Sequence, residues 1–335
     1  MPQIVHERPG VCRLTRRSLL LGAIAAPLVA RGGAHAQTAL PGVIKITVPF
    51  PPGGTVDPIA RMVQPGLQQR LGATIVIENK PGASGSIGTA QVAKSPPDGS
   101  NWVFVFDTHA VNPFLQSLPF DTEKDLDPVL LIGTAPNIVS THPARPFKTF
   151  ADVVAAAKAS PDAITYGSIG SGSLGHLTGV LISERAGIRL VHVPYRGGGP
   201  AMNDAIAGHL DMLIGSAALV TPQVVAGKLR ALAQTGKTRI AALPDIPTVT
   251  EIGLAGIESY AWWGVFTTGG TSKPIIERFS VALAETLREP AIQKQLSENL
   301  QITLRLGGPE EQATFLSEQM KLWGPVVREH GIKGD

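Results

Sequence analysis

Thiol chemistry is almost missing from this chain, and aromatic surface is scarce. Of 335 residues one is a cysteine, Cys12, and aromatic residues make up 5%. A lone cysteine forms no intrachain disulfide and leaves zinc-ribbon or iron–sulfur arrangements without ligands. The eight histidines include no pair four residues apart, so the helical zinc motif is absent as well. Charge is sparse, at 16% for Asp, Glu, Lys and Arg together. No stretch offers the about 20 apolar residues that a membrane span needs. What is plentiful is glycine, at 37 residues, and proline, at 28, and they punctuate the chain into short elements.

The N-terminus has a basic start, a 12-residue apolar stretch over residues 19–30 and the small-residue pattern Ala34-His35-Ala36. That order predicts a signal peptide over residues 1–36 and a periplasmic location. Thr15-Arg16-Arg17-Ser18-Leu19-Leu20 is similar to a twin-arginine export motif, although paired arginines leave the export route open. Cleavage after Ala36 leaves 299 residues and removes Cys12, five arginines (Arg8, Arg13, Arg16, Arg17, Arg31) and Glu7. The formal charge of +3 becomes −1, from 24 basic and 25 acidic residues, so the high whole-chain isoelectric point belongs to the leader and gives no support to nucleic-acid binding. The mature chain is expected to insert into no membrane.

Beyond the leader, short β-branched or apolar runs alternate with helical stretches. The runs at 43–50, 73–79, 101–106, 163–168, 189–195, 210–216 and 228–235 predict strands; 57–71, 149–160, 174–187 and 200–210 predict helices. The alternation predicts an α/β protein with largely parallel sheets. From about Ser272 onward the pattern is mostly helical, with Pro274 early in a helix.

Two strand-turn-helix units form a pair about 120 residues apart. "ITVPFPPGGTVDPIARMV" and "ITYGSIGSGSLGHLTGVLI" each pass from an apolar run through a Gly-rich turn into a helix. Bare N–H groups at a helix N-terminus favour anions, and ligands of parallel sheets collect beyond the carboxyl ends of the strands. Two such units facing one another would make a cleft with opposed anion seats; the alternative is that both glycine clusters are only tight turns.

Catalytic patterns fail. Gly170, Gly172 and Gly175 spell a dinucleotide fingerprint, but the strand about 20 residues on supplies no acid for a ribose. Gly236-Lys237-Thr238 ends like a phosphate loop, yet Ala231 stands where its first glycine belongs. No serine of the Gly-rich turns satisfies G-x-S-x-G. A hydrolase would have to use Ser173 with His176, or Asp107 with His109, without a recognisable motif; cofactor and metal are expected to be absent.

Several segments carry a resemblance: "PFPPGGTVDPIAR", "IENKPGASGSIGTAQVAKSPPDG", "DTHAVNP", "LPFDTEKDLDPV", "VHVPYRGGGPAMNDAIAGHLDM" and "GKLRALAQTGKTRIAALPDIPTVTEIGL". In this order, over essentially the whole mature chain, the sequence resembles the tripartite tricarboxylate transporter substrate-binding proteins, the TctC or Bug family. The resemblance implies a type II periplasmic-binding-protein fold, with two α/β domains joined by crossing strands and closing like a Venus flytrap on a small organic acid. The domains would be 37–140 plus about 250–335, and about 141–249. It implies no enzyme, a monomer, and as partner a tripartite membrane permease, or alternatively a membrane sensor.

Carried over by motif, the resemblance places ligand contacts at Phe50, Gly53, Gly54 and Thr55 in the first unit and at Ser168, Gly172 and Ser173 in the second. Asp57 reads as a helix-start acid and His176 as packing behind its loop. Arg196 could meet a distal carboxylate, and Trp262 and Trp263 fall where the chain would cross between domains. Two departures bear on the ligand. Asp107, beside Thr108, stands where many members have a small polar residue; it would select a ligand with a positive or hydrogen-bond-donating group, or would serve as a cap at a strand end. Gly215-Ser216 stands at or near the place of an Asp-Asn pair, which removes a usual amino-group anchor.

Overall fold

The computed structural model describes residues 2–3 and 40–334. Apart from residues 2–3, the expected signal peptide, including Cys12 and the cleavage pattern, lies outside the described residues.

From Leu40 the chain builds β1 (Val43–Val48), α1 (Val56–Leu71), β2 (Thr74–Asn79), α2 (Ser86–Ala93), β3 (Asn101–Phe106) and α3 (Thr108–Leu115). A 16-residue strand follows, β4 (Leu126–Thr141). Next come α4 (Phe150–Ala159), β5 (Thr165–Ser168), α5 (Leu174–Ala186), β6 (Val191–Pro194), α6 (Gly198–Ile206), β7 (Met212–Ser216), α7 (Ala217–Val225) and β8 (Arg230–Gln234). The chain ends through β9 (Tyr260–Thr268), α8 (Lys273–Leu287), α9 (Pro290–Lys294), β10 (Thr303–Gly307) and α10 (Pro309–Glu329).

The strand order is β2-β1-β3-β9-β4-β7-β5-β6, with β8 and β10 also pairing β4. The two outer groups are parallel, β2-β1-β3 and β7-β5-β6, as the alternation of runs predicts. The middle departs from the expected parallel sheet: β3-β9, β9-β4 and β4-β7 are antiparallel. β4 joins the groups, pairing β9 along residues 126–136 and β7 along 137–140. β10 lies in the part expected to be mostly helical and pairs with β4.

Local sequence accounts for the elements that matter to the site. α1 buries Val56, Ile59, Ala60, Val63, Leu67 and Leu71, spaced by three and four residues on one face, and ends at Gly72 in the left-handed region. Each such aliphatic residue contributes about 1.5–3 kcal/mol when fully buried. An Asp at Val63, which is fully buried, would leave a carboxylate without water or partner and undo that face. α5 starts on the N-cap Ser173 and ends on left-handed Gly187. Between the parallel strands and their helices the turns are short, so α1, α5, α6 and α7 all begin near the carboxyl ends of β1, β5, β6 and β7. Trp262 and Trp263 lie within β9 and are buried.

Candidate functional site

The first Gly-rich turn leaves its helix open. Gly53 holds a φ of +89°, which favours glycine. Thr55 is the N-cap of α1 but caps nothing: its φ and ψ are −96° and −27°, and no side-chain bond reaches the helix amides. Its hydroxyl instead accepts the Trp263 indole N–H at 3.0 Å, leaving the hydroxyl proton free to point elsewhere. Asp57 sits in the first turn of α1 and accepts from Arg61 Nε at 3.0 Å and from Asn79 Nδ2 at 2.9 Å. The same Asn79 amide donates to the Phe50 carbonyl at 3.1 Å, so this cluster ties the turn to β2.

The second turn consumes its own donors. The Gly170 N–H reaches Ser168 Oγ, the Gly172 N–H reaches His176 Nδ1 at 3.1 Å, and the Ser173 N–H reaches the Gly170 carbonyl. Ser173 Oγ accepts the His176 N–H at 3.3 Å and donates to the Gly170 carbonyl at 2.8 Å. The Leu174 N–H points to Asp107 Oδ1 at 3.4 Å. His176 stacks on His192 with ring centroids 3.6 Å apart, and His192 Nε2 lies 2.8 Å from Ser168 Oγ. Burial and the His176 ring push the His192 pKa down to about 3, so the His192 ring is neutral near pH 7.

One cavity receives the first residues of four helices: Thr55 and Val56 of α1, Gly175 of α5, Gly198 of α6 and Ser216 ahead of α7. The starts of α1, α6 and α7 have no side-chain cap. Phe50, Phe106, Ile169, Ile214 and Leu219 supply apolar wall, and Gly54, Asp107, Asn137 and Gly215 complete it. Among the described residues no Lys, Arg or His lines it. Phe50 meets Phe106 edge-on at 6.2 Å, and Phe106 meets Trp263 at 5.2 Å, which makes an aromatic floor continuous with β9. The cavity is about 20 Å³, room for about one water.

The cavity is small because the first turn lies against the start of α6. An added Cβ would come within 3.2 Å of Gly54 Cα from Gly198 and within 2.9 Å of the Pro52 carbonyl from Gly199. Ser84 adds a polar contact, its Oγ donating to the Ser171 carbonyl at 3.0 Å, while its own carbonyl accepts from Thr108 Oγ1 and Asn112 Nδ2. A wider trough of about 800 Å³ lies beside α4, walled by Phe150, Val154, Ile252 and Leu254 with Lys148 and Lys158. It lacks convergent helix starts, and convergent polar groups are what distinguish a ligand site from a surface trough.

Of the residues expected at the site, Phe50, Gly54, Thr55 and Asp107 line the cavity. Gly53 shapes the turn beside it. Thr108 is turned to the Ser84 carbonyl. Ser168, Gly172 and Ser173 stand behind the cavity wall, because their polar groups close the turn. Arg196 is exposed and outside the lining. Sequence reasoning missed Asn137 and Gly198. Gly215 and Ser216 drew notice only as the place of a lost pair. A Cβ on Gly215 would meet Leu219 and Val220 at 3.4–3.5 Å, ordinary contact.

Comparison with known proteins decides the family. The model of the "Tripartite tricarboxylate transporter family receptor", TctC, matches residues 59–332. The chain belongs to this family. Protein BugT of Bordetella pertussis is 31% identical over 293 residues, 87% of this chain and 90% of BugT. The solved periplasmic binding protein BugD is 30% identical with a TM-score of 0.82, covering 87% of this chain and 98% of BugD. R. palustris Rpa4515, solved with adipate, is 29% identical with a TM-score of 0.82 and the same coverage. TctC receptors and these neighbours are solute-binding proteins, so the chain is a mixed α/β receptor rather than an enzyme. The helix start of the second turn is occupied by a residue of the chain itself, Asp107.

Proposed function

We propose that this TctC receptor is exported to the periplasm through a signal peptide over residues 1–36 and captures a small carboxylate-bearing organic acid. It passes that acid to the membrane subunits of a tripartite tricarboxylate transporter. The observation that carries the reading is the convergence of uncapped helix starts on one cavity without a cationic side chain. Such N–H groups bind a carboxylate with charge-assisted hydrogen bonds of about 1.5–3 kcal/mol each, and a few suffice for micromolar affinity after ordering costs. The adipate in Rpa4515 supports the ligand class.

In this reading Phe50, Gly54, Thr55 and Asp107 contact the ligand together with Asn137, Gly198 and Ser216. Ser168, Gly172 and Ser173 hold the second turn in shape. In this reading the cavity, with room for about one water, belongs to a form more tightly closed than the ligand complex, and a carboxylic acid of several carbons enters when 37–140 with 250–335 moves away from 141–249. Ligand then favours closure by contacting both parts at once.

The test is a thermal-shift screen of residues 37–335 against mono-, di- and tricarboxylates, amino acids and aromatic acids, followed by recovery of the bound compound. A carboxylate at 100 times its dissociation constant should add about 2.7 kcal/mol, a shift of several degrees. Recovery of a chemically altered compound, or stabilisation only by molecules without a carboxylate, overturns the proposal.

A further inference from the structure

Among the described residues the cavity wall contains a single ionisable side chain, Asp107, and it is an acid. It is 1% exposed. Its Oδ1 takes the Leu174 N–H at the start of α5, and the backbone N–H of Thr108 also favours the charged form. Burial outweighs both, and the Asp107 pKa lies well above the usual carboxylate range. In the first turns of α3, α5 and α1 the titratable groups are His109, His176 and Asp57, the last already paired with Arg61. His109 is itself pushed down to about 3 by burial and is neutral near pH 7. His109 therefore supplies no cation to hold Asp107 ionised, and Asp57 adds a second acid.

A ligand carboxylate seated at the start of α1 would share this small cavity with Asp107. Two carboxyl groups in one enclosed site do not both stay ionised, and they titrate as a pair. We propose that Asp107 is a specificity-determining residue that meets the ligand's carboxylate as a neutral carboxylic acid, so that the closed complex holds one proton between two carboxyl groups. This rests on the carboxylate-receptor reading above. The oxygen that accepts the Leu174 N–H acts as the carbonyl-type acceptor, and the other carries the proton and donates it to a ligand oxygen. Where Asp107 is ionised in the free protein, the proton comes from solvent on binding; no covalent bond within the ligand changes. A neutral acid rewards a carboxylate or carbonyl oxygen and gives little to an ammonium group. The selectivity is thus the opposite of what an ionised aspartate in the cleft would give.

The experiment is calorimetric titration of residues 37–335 with adipate, malate, citrate and benzoate between pH 5 and 9. Each titration is run in two buffers of different protonation enthalpy, on the wild type and on Asp107→Asn. Wild-type affinity for whichever probes bind should fall with rising pH, approaching about tenfold per pH unit above the Asp107 titration. The two buffers should report uptake of up to one proton per ligand. Asp107→Asn keeps the shape and a donor, and should bind without that slope or uptake; the probes' own titration is common to both proteins and cancels. Should the variant not fold, the wild-type buffer comparison above pH 7 with adipate, malate and benzoate decides alone, because these probes are ionised there. Wild-type binding that is independent of pH, with no proton uptake, or an Asp107→Asn slope equal to the wild type, overturns the proposal and leaves the receptor reading standing. Failure of every probe to bind at any pH overturns the receptor reading, and this one with it.

Discussion

The two Gly-rich turns read alike in sequence and end in opposite states. At residues 50–57 the helix start is bare: the Thr55 hydroxyl accepts the Trp263 indole N–H, and it makes no cap bond to the α1 amides. At 168–176 nearly the same grammar closes on itself, with Ser173 capping His176, His176 holding Gly172, and Asp107 from another element taking Leu174. The difference lies in a few side chains rather than in the glycines. A serine at the N-cap and a histidine three residues on turn an anion seat into a structural corner. Without such partners a helix start stays available to a ligand.

The sharpest way to break the contrast is to give the first turn the acid that the second already has. Thr55→Asp supplies α1 with a capping carboxylate that can still accept from Trp263, so the fold should keep its melting temperature or gain slightly. Carboxylate binding should fall by more than about 100-fold, near 3 kcal/mol, since the seat is occupied and the field is reversed. Calorimetric titration beside a melting curve separates the two effects. Binding that survives Thr55→Asp would place the anion seat elsewhere.

Acid should act on the second turn and spare the first, which contains no histidine. His192 has a folded pKa of about 3 against about 6.5 when unfolded. The unfolded chain therefore binds more protons in that window, and stability is complete above pH 6.5 and lost as pH falls towards 3. Between pH 7 and 5 this one group should cost about 2 kcal/mol, read as a lower urea midpoint. His109, also held near 3, adds to the loss. His192→Gln retains a partner for Ser168 and should make the acid slope shallower, whereas an unchanged slope would mean that His192 takes up its proton as readily in the folded chain as in the unfolded one.

Ser173→Ala sharpens the comparison from the other side. It deletes the α5 cap and the bond to the Gly170 carbonyl and should cost about 1 kcal/mol of stability. Affinity should change by less than about threefold, because the hydroxyl faces its own turn. A large affinity loss at unchanged stability would return Ser173 to the ligand.

How much of this was readable beforehand depends on whether partners are local. β1, β2, β3 and β5 to β8 are short β-branched or apolar runs flanked by turn residues, and the helices α1, α4, α5 and α6 show as helical runs, α4 and α5 with their N-caps Thr149 and Ser173. β4 and β9 were hidden because their apolar residues run on almost without alternation, and Pro128 and Pro136 inside β4 mimic breaks. Both strands are buried on two faces, which erases the period-two signal. β10 is a five-residue run within a helical stretch. At the site, the first turn and the oddity of Asp107 were visible, since each is a local anomaly. Asn137 and Gly198 were not, because they belong to the cavity only through the order in which β4, β7, β5 and β6 are laid side by side.

The smallest expected effect concerns the charge that the first turn already has. Asp57 lies in the opening turn of α1, where an acid favours the dipole by about 0.3–1 kcal/mol, and its partner Arg61 is half exposed, so the pair adds little in water. Asp57→Asn should therefore lower stability by less than about 1 kcal/mol. It also removes a negative charge from the neighbourhood of the seat while leaving Arg61 in place, so carboxylate affinity should rise by about twofold, an effect that added salt weakens. The sign is the informative part. Were Asp57 holding the ligand through a donor, the same substitution would lower affinity, and the first turn would be a second acid-guarded site rather than the open member of the pair.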